Sequence, residues 1–332
     1  MKIYNRNIIL LLILLSGTSY LSGQQLPLYS QYMNNGFLLN PAMAGHDGFT
    51  SFNITSRKQW VGFQNSPLTY SVSGQTRLLK KSYRIITRPV RSNKYKPSSK
   101  GRVGLGGFVF NDINGLVART GAQFTYAYHI YMRQSQLSFG LAGQVFQYKI
   151  DMDKVSTYKE DEIKDRVIDG AVNMAAFIPD ANAGIYWTSP KFFLGFSANQ
   201  LLQSPLNLGS NSLDEFKMLR HYYLMSGYRF SRYQSEFELE PSFLIKTTEQ
   251  LLPQADLSLK LYYKTDYWVG ASFRTSGAIS ALFGVRSEKL YFGYAYDYSL
   301  SSIRKYSFGS HEIFVSIKFG SNARRFRWLN RY

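Results

Sequence analysis

Leu68-Thr-Tyr-Ser-Val-Ser-Gly-Gln-Thr-Arg-Leu78 alternates with a period of two. Leu68, Tyr70, Val72 and Leu78 fall on one face, and Thr69, Ser71, Ser73, Gln75 and Arg77 fall on the other. Successive side chains of a strand point to opposite sides, so this is a strand with one apolar and one polar surface. The pattern recurs. Ala122, Phe124, Tyr126, Tyr128 and Ile130 oppose Gln123, Thr125, Ala127 and His129, and Leu137, Phe139, Leu141 and Val145 oppose Ser138, Gly140, Ala142 and Gln144. The last such face is Ile313, Val315, Ile317 and Phe319, against Phe314, Ser316 and Lys318. Read along the chain, the alternation places strands near 48–58, 68–80, 103–111, 116–131, 136–149, 181–188, 191–200, 219–231, 234–246, 254–263, 266–275, 278–286, 289–299 and 311–320.

A long all-β chain of this kind is either a secreted sandwich or a membrane barrel, and three features choose between them. The chain opens with Lys2 and Arg6, an apolar run from Ile8 to Leu15 and Leu21-Ser22-Gly23, which reads as a targeting peptide cleaved before Gln24. Aromatic residues make up 16% of the chain, with 26 Tyr and 24 Phe, and no second stretch is apolar enough to span a bilayer as a helix. Connection length also follows parity. Connections 133–136, 188–191, 231–234, 264–266 and 287–289 are short, whereas 150–180, 201–218 and 300–310 are long. Barrels of the outer membrane have short periplasmic turns and longer outer loops, and a sandwich has no reason to sort its connections this way. The expected fold is therefore an all-β, transmembrane antiparallel β-barrel of about 14 strands, with both termini in the periplasm of a diderm bacterium.

This reading divides the chain into a signal peptide (1–23), an N-terminal plug or cap segment (24–47), the outer-membrane barrel (48–320) and a basic periplasmic tail (321–332). The segment is too irregular for a strand, and Asn40-Pro41 disfavours a helix. It is expected to fold into or beneath the periplasmic mouth. Its Asn and Gln side chains would satisfy polar groups on the lumenal wall, Tyr29, Gln31 and Tyr32 belonging to this plug or cap, while Asn40-Pro41 would turn the chain and Gly45 would admit it to the first strand.

The residues that could carry chemistry are few. The absence of cysteine excludes disulfides, thiolate metal sites, cysteine nucleophiles and a lipidated N-terminal cysteine. No hydrolase, zinc-protease, phosphate-loop or calcium-loop motif occurs, so no enzyme, metal or cofactor is expected. His129 and Ser138 face the lumen on neighbouring strands and could touch; a lumenal polar network is the preferred reading over a nucleophile and its base. Glu236, Glu238 and Glu240 alternate with apolar residues and should face inward together, with Arg229, Lys246 or Lys260 as counter-ions. They would form either a salt-bridge lattice or an ion-selective lining.

The +18 net charge is concentrated. Residues 80–102 hold nine basic residues and no acid, including Arg84, Arg88, Arg91, Lys94 and Lys96. The tail adds Arg324, Arg325 and Arg327. These runs could dock acidic periplasmic partners, bind lipid phosphates at that rim, or simply be solvated. For an exported chain, nucleic acid is not an expected partner.

Motifs along the chain carry a resemblance. Tyr29-Ser-Gln-Tyr-Met33, Leu39-Asn-Pro-Ala-Met-Ala-Gly45, Arg57-Lys-Gln-Trp-Val-Gly62 and Ser66-Pro-Leu-Thr69 resemble the opening of the PorP/SprF family. So do Pro179-Asp180 with Gly184, His221-Tyr-Tyr-Leu-Met-Ser-Gly-Tyr228, Glu240-Pro-Ser-Phe243, Gly293-Tyr-Ala-Tyr-Asp297 and Gly309-Ser-His-Glu312. The resemblance implies an outer-membrane protein of the type IX secretion and gliding-motility apparatus of Bacteroidetes-like bacteria. Its role would be accessory, exporting or anchoring large secreted client proteins such as surface adhesins. Its implied partners are the client, periplasmic components of the system and outer-membrane lipid. A transport channel, whether porin or carrier of apolar substrates, is the alternative. One departure is the tail beyond Phe319, since such barrels commonly end at the aromatic residue of their last strand.

Overall fold

The computed structural model describes residues 29–78, 101–132, 134–150, 175–205, 217–232, 234–250 and 252–319. The targeting peptide, the basic tail and all but the last two residues of the basic connection lie outside these residues. Fourteen strands form one sheet. They are β1 (Thr50–Lys58), β2 (Leu68–Leu78), β3 (Val103–Asn114), β4 (Val117–Tyr131), β5 (Gln136–Ile150), β6 (Ala175–Thr188) and β7 (Phe192–Asn199). After these come β8 (His221–Tyr228, resumed at Phe230–Ser231), β9 (Phe237–Thr248), β10 (Gln254–Tyr263), β11 (Tyr267–Arg274), β12 (Ala278–Ser287), β13 (Leu290–Ser299) and β14 (Ser310–Phe319).

Each strand pairs antiparallel with its neighbours in sequence. The ring closes where β1 meets β14, in register from Thr50↔Phe319 to Lys58↔His311. Closure leaves no unpaired edge, which a sheet in lipid requires.

Burial along the strands runs opposite to that of a soluble protein. On β1 the apolar Phe52 and Ile54 are 54% and 55% exposed, while the polar Ser51, Asn53 and Thr55 are at most 3% exposed. The same inversion holds on β2, where Tyr70 and Val72 face out and Thr69, Ser71 and Ser73 face in. An apolar exterior around a polar interior is stable only if lipid replaces water outside. The alternation therefore defines both the strands and their solvent.

Two strands differ from the sequence reading, each because of a proline. β6 begins at Ala175 rather than near 181. Pro179 is tolerated because residues 175–182 pair with β5 alone, β7 joining only from Ala183. On the side away from β5 the Pro179 carbonyl accepts the Ser204 hydroxyl at 2.6 Å. β8 is interrupted at Arg229. Its ladder with β9 runs from His221↔Thr248 to Gly227↔Ser242 and resumes at Phe230↔Leu239. Pro241 falls in the gap, where it has no N–H to give.

The barrel has two mouths. The near mouth holds the start of β1, the end of β14 and the short connections 132–135, 189–191, 232–236, 264–266 and 288–289. The far mouth holds the longer connections 59–67, 200–220 and 300–309, together with the tight turn Gly115-Leu116.

Candidate functional site: the segment inside the barrel

Tyr29–Phe49 lies within the ring of strands. It folds as two short 3-10 turns, Gly36–Leu38 and Pro41–Met43. The second is set by its own sequence. Pro41 supplies a fixed φ at the first helical position, and Asn40 caps the turn by accepting the Ala42 N–H at 2.9 Å. The Asn40 amide then donates to the wall carbonyls of Ile185 (3.0 Å) and Phe196 (3.3 Å). Gly45 adopts φ +63°, and a Cβ there would press on the Thr76 carbonyl, so only glycine fits. Tyr32, Met33, Phe37, Leu39, Ala42, Met43 and Ala44 form one buried cluster with Tyr186, Phe193, Tyr223, Met225, Leu244, Tyr262 and Trp268 of the wall.

The wall makes room for the segment. Gly104 on β3, Gly140 on β5 and Gly184 on β6 lie directly against Ala44, Pro41-Ala42 and Asn40 respectively, and a Cβ on any of them would collide there. In a strand glycine usually weakens the sheet; here its gain is close backbone approach.

Charge holds the start of the segment. The Ser30 and Gln31 N–H groups donate to the two Glu312 oxygens at 2.7 and 2.9 Å. The Ser30 hydroxyl donates to Asp297 at 2.6 Å and accepts from Arg57 at 2.8 Å. Arg57 also bridges Asp297 (2.6 Å) and Glu312 (2.9 Å), all three side chains being buried. Arg274 joins the cluster through Asp297 at 3.8 Å and the Ser30 hydroxyl at 3.4 Å, and pairs with Asp256 at 2.9 Å. A buried charge is tolerable when paired and hydrogen-bonded in this way.

The segment's end is held at the near mouth. The His129 Nε2–H donates to the Ala44 carbonyl at 3.0 Å, so Nδ1 must accept, taking the Ser138 hydroxyl at 2.8 Å. Gln136 donates to Ser138 at 3.0 Å, and Arg77 donates to the His46 carbonyl at 2.7 Å and to Gln136 at 3.1 Å. The Gly45 N–H donates to Gln75 at 3.1 Å, and Lys318 pairs with Asp47 at 3.0 Å. Burial alone would raise the Asp47 carboxyl, but Lys318, His46 and the Phe49 N–H outweigh it and hold it below the usual range. Burial pushes His46 below its ordinary value.

The residues singled out in the sequence are distributed as follows. Tyr29, Gln31, Tyr32, Asn40, Pro41 and Gly45 all belong to the segment whose contacts with the wall are given above. His129 and Ser138 are in contact, but both are fully buried and both imidazole nitrogens are committed, one to a backbone carbonyl. The pair ties the Ala44 end of the segment to the wall.

The three glutamates do not act together. Glu240 is buried on β9 and Glu238 is partly covered, and Arg229 bridges them at 2.9 and 3.4 Å with its guanidinium over the Tyr262 ring. Glu236 precedes β9, so strand alternation does not govern it; it is exposed and pairs with Lys264 at 3.3 Å. Lys260 donates to Asn34 at 2.7 Å and stands over Trp268, and Lys246 lies toward the other end of β9, opposite Tyr223. Arg84, Arg88, Arg91, Lys94, Lys96, Arg324, Arg325 and Arg327 lie outside the described residues. The Arg57–Asp297–Glu312 cluster was not singled out, although all three residues fall at the edges of motifs that carry the family resemblance.

Comparison with known proteins gives a family match over most of the chain. A family described as type IX secretion system membrane protein PorP/SprF matches residues 21–317. No curated protein sequence matches. Solved structures of similar shape include Omp33 of Acinetobacter baumannii, at 7% identity and TM-score 0.44 over 82% of this chain and 100% of that one. Another is a TodX deltaS2S3 mutant, described as a monoaromatic hydrocarbon channel, at 9% identity and TM-score 0.46 over 87% and 94%. The chain belongs to the PorP/SprF family of type IX secretion system membrane proteins, and is an outer-membrane component of that system.

Proposed function

We propose that this barrel is a closed, membrane-fixed platform that anchors a secreted client, with no catalytic step. The far mouth faces outward and holds the client, and the near mouth faces the periplasm, where the basic connection and tail meet components of the secretion system. What carries this reading is the filling of the lumen. Tyr32, Phe37, Asn40, Ala42 and Ala44 are all buried inside the ring, and the lumenal cavities beside the segment measure only about 30 and 50 Å³. Spaces of that size hold a few waters at most, which supports a closed lumen. The longer connections at the far mouth, with Tyr306 and Phe308 highly exposed, support its assignment as the client-facing side.

The test is affinity recovery of the detergent-solubilised protein from cells, with identification of what accompanies it. A co-purifying secreted surface protein supports the anchor. Recovery of the barrel alone, together with steady ion conductance, would favour a transport channel instead. Replacing Arg84, Arg88, Arg91, Lys94 and Lys96 by Gln is expected to reduce recovery of periplasmic partners while leaving the client bound; unchanged recovery at ordinary salt would remove the docking role of the basic connection.

A further inference from the structure

The two ends of the internal segment lie at opposite mouths. Asp47 pairs with Lys318, one residue from the near end of β14, and the His46 carbonyl is held by Arg77 and Gln136 at the near ends of β2 and β5. Ser30 instead meets Arg57, Asp297, Glu312 and Arg274. Arg274 is the last residue at the far end of β11, and the other three stand within two residues of the far ends of β1, β13 and β14. Between these ends the chain touches Lys260 through Asn34, Gly106 and Phe108 through Phe37, and Gly140 through Pro41 and Ala42. From Ser30 to Asp47 an extended chain could reach about 55 Å. The apolar band of an outer-membrane barrel is only about 25 Å tall. The two 3-10 turns take up the slack.

We infer that the polypeptide is threaded lengthwise through its own barrel: Tyr29 and Ser30 stand at the far mouth, beside the β1–β2 and β13–β14 connections, and at the opposite mouth from the end of β14. A plug entering from the periplasm would have its first residues at the near mouth, alongside Phe319. Given the orientation proposed above, on which this consequence rests, Tyr29 and Ser30 stand at the mouth that faces outward, where the client is held. Just above the Arg57 cluster, the two connections are zipped together, Val61 N–H to Gly309 at 2.8 Å and Phe308 N–H to Val61 at 2.7 Å.

The absence of cysteine permits a direct test. Single variants Leu28→Cys, Ser301→Cys (far mouth) and Lys289→Cys (near mouth) are exposed on intact cells to a membrane-impermeant maleimide, then again after permeabilisation. Threading requires Leu28→Cys to label in step with Ser301→Cys, while Lys289→Cys labels only after permeabilisation. If Leu28→Cys follows Lys289→Cys, or labels only after denaturation, threading is overturned. If Lys289→Cys is the one accessible from outside, the orientation fails independently; threading then stands only if Leu28→Cys is protected together with Ser301→Cys.

Discussion

Gly140→Ala isolates the contact between segment and wall. Gly140 faces inward on β5, and a methyl there would overlap the backbone of Pro41 and Ala42. Neither neighbour can yield as a flexible side chain would, because Asn40 fixes this turn through three hydrogen bonds. Overpacking a filled site costs about 1–3 kcal/mol. The strain falls on the segment rather than on the ladder, since β5 keeps its pairing with β4 and β6 on either side. Displacement of the segment should therefore become about 5- to 150-fold more frequent.

Gly143 on the same strand is the control. It faces outward with nothing within 4 Å of its would-be Cβ. Gly143→Ala should be neutral, or stabilise by about 0.4–1 kcal/mol through the unfolded chain. The assay is hydrogen exchange of the Leu39, Asn40, Met43 and Ala44 amides, each bonded within the segment. Protection lost in Gly140→Ala and kept in Gly143→Ala is the expected pair. Equal protection in both variants would refute the fit of segment to wall.

Glu312→Gln leaves Arg57 with one carboxylate and weakens the grip on Ser30 and Gln31; a loss of about 3–5 kcal/mol is expected, read as a lower thermal midpoint in detergent. His129→Ala should loosen Ala44 and expose the segment's end to exchange, whereas Ser138→Ala, which removes only a partner of Nδ1, should have a smaller effect. Loss of a hydrolytic activity in either variant would contradict the pin. Acidification should release the near-mouth end in two stages. His46 is held below its ordinary 6.5 and Asp47 below its ordinary 3.8, so each contribution is complete above that value and disappears as pH falls beneath it. Exchange of the Gly45–Asp47 amides followed from pH 8 downward checks this, and His46→Gln should abolish the upper stage. Increasing protection on acidification would show the sign to be wrong.

The strands and their inside-out burial were legible because one rule, alternation, governs nearly every residue of the wall. Where a second rule intervened, the reading slipped. Pro179 obscured the first half of β6, and Glu236 seemed to continue a face whose strand begins one residue later. The segment's composition marked it as different, but not its path, since nothing local says which end of Tyr29–Asp47 meets which mouth. The charge cluster was hidden for a related reason. Arg57 meets Asp297 and Glu312 across sequence separations of 240 and 255 residues, and only closure of the ring brings them together. Gly104, Gly140 and Gly184 look like weak points in strands until the Ala44 and Pro41-Ala42 backbone and the Asn40 side chain that they accommodate are in place.

The filled lumen is tested most directly by recording ion current through the purified full-length protein in a planar bilayer. Long silent traces, giving way to openings when Gly140 carries a methyl, are the expected result. A steady ohmic current through the unmodified protein would mean that the segment does not close the barrel.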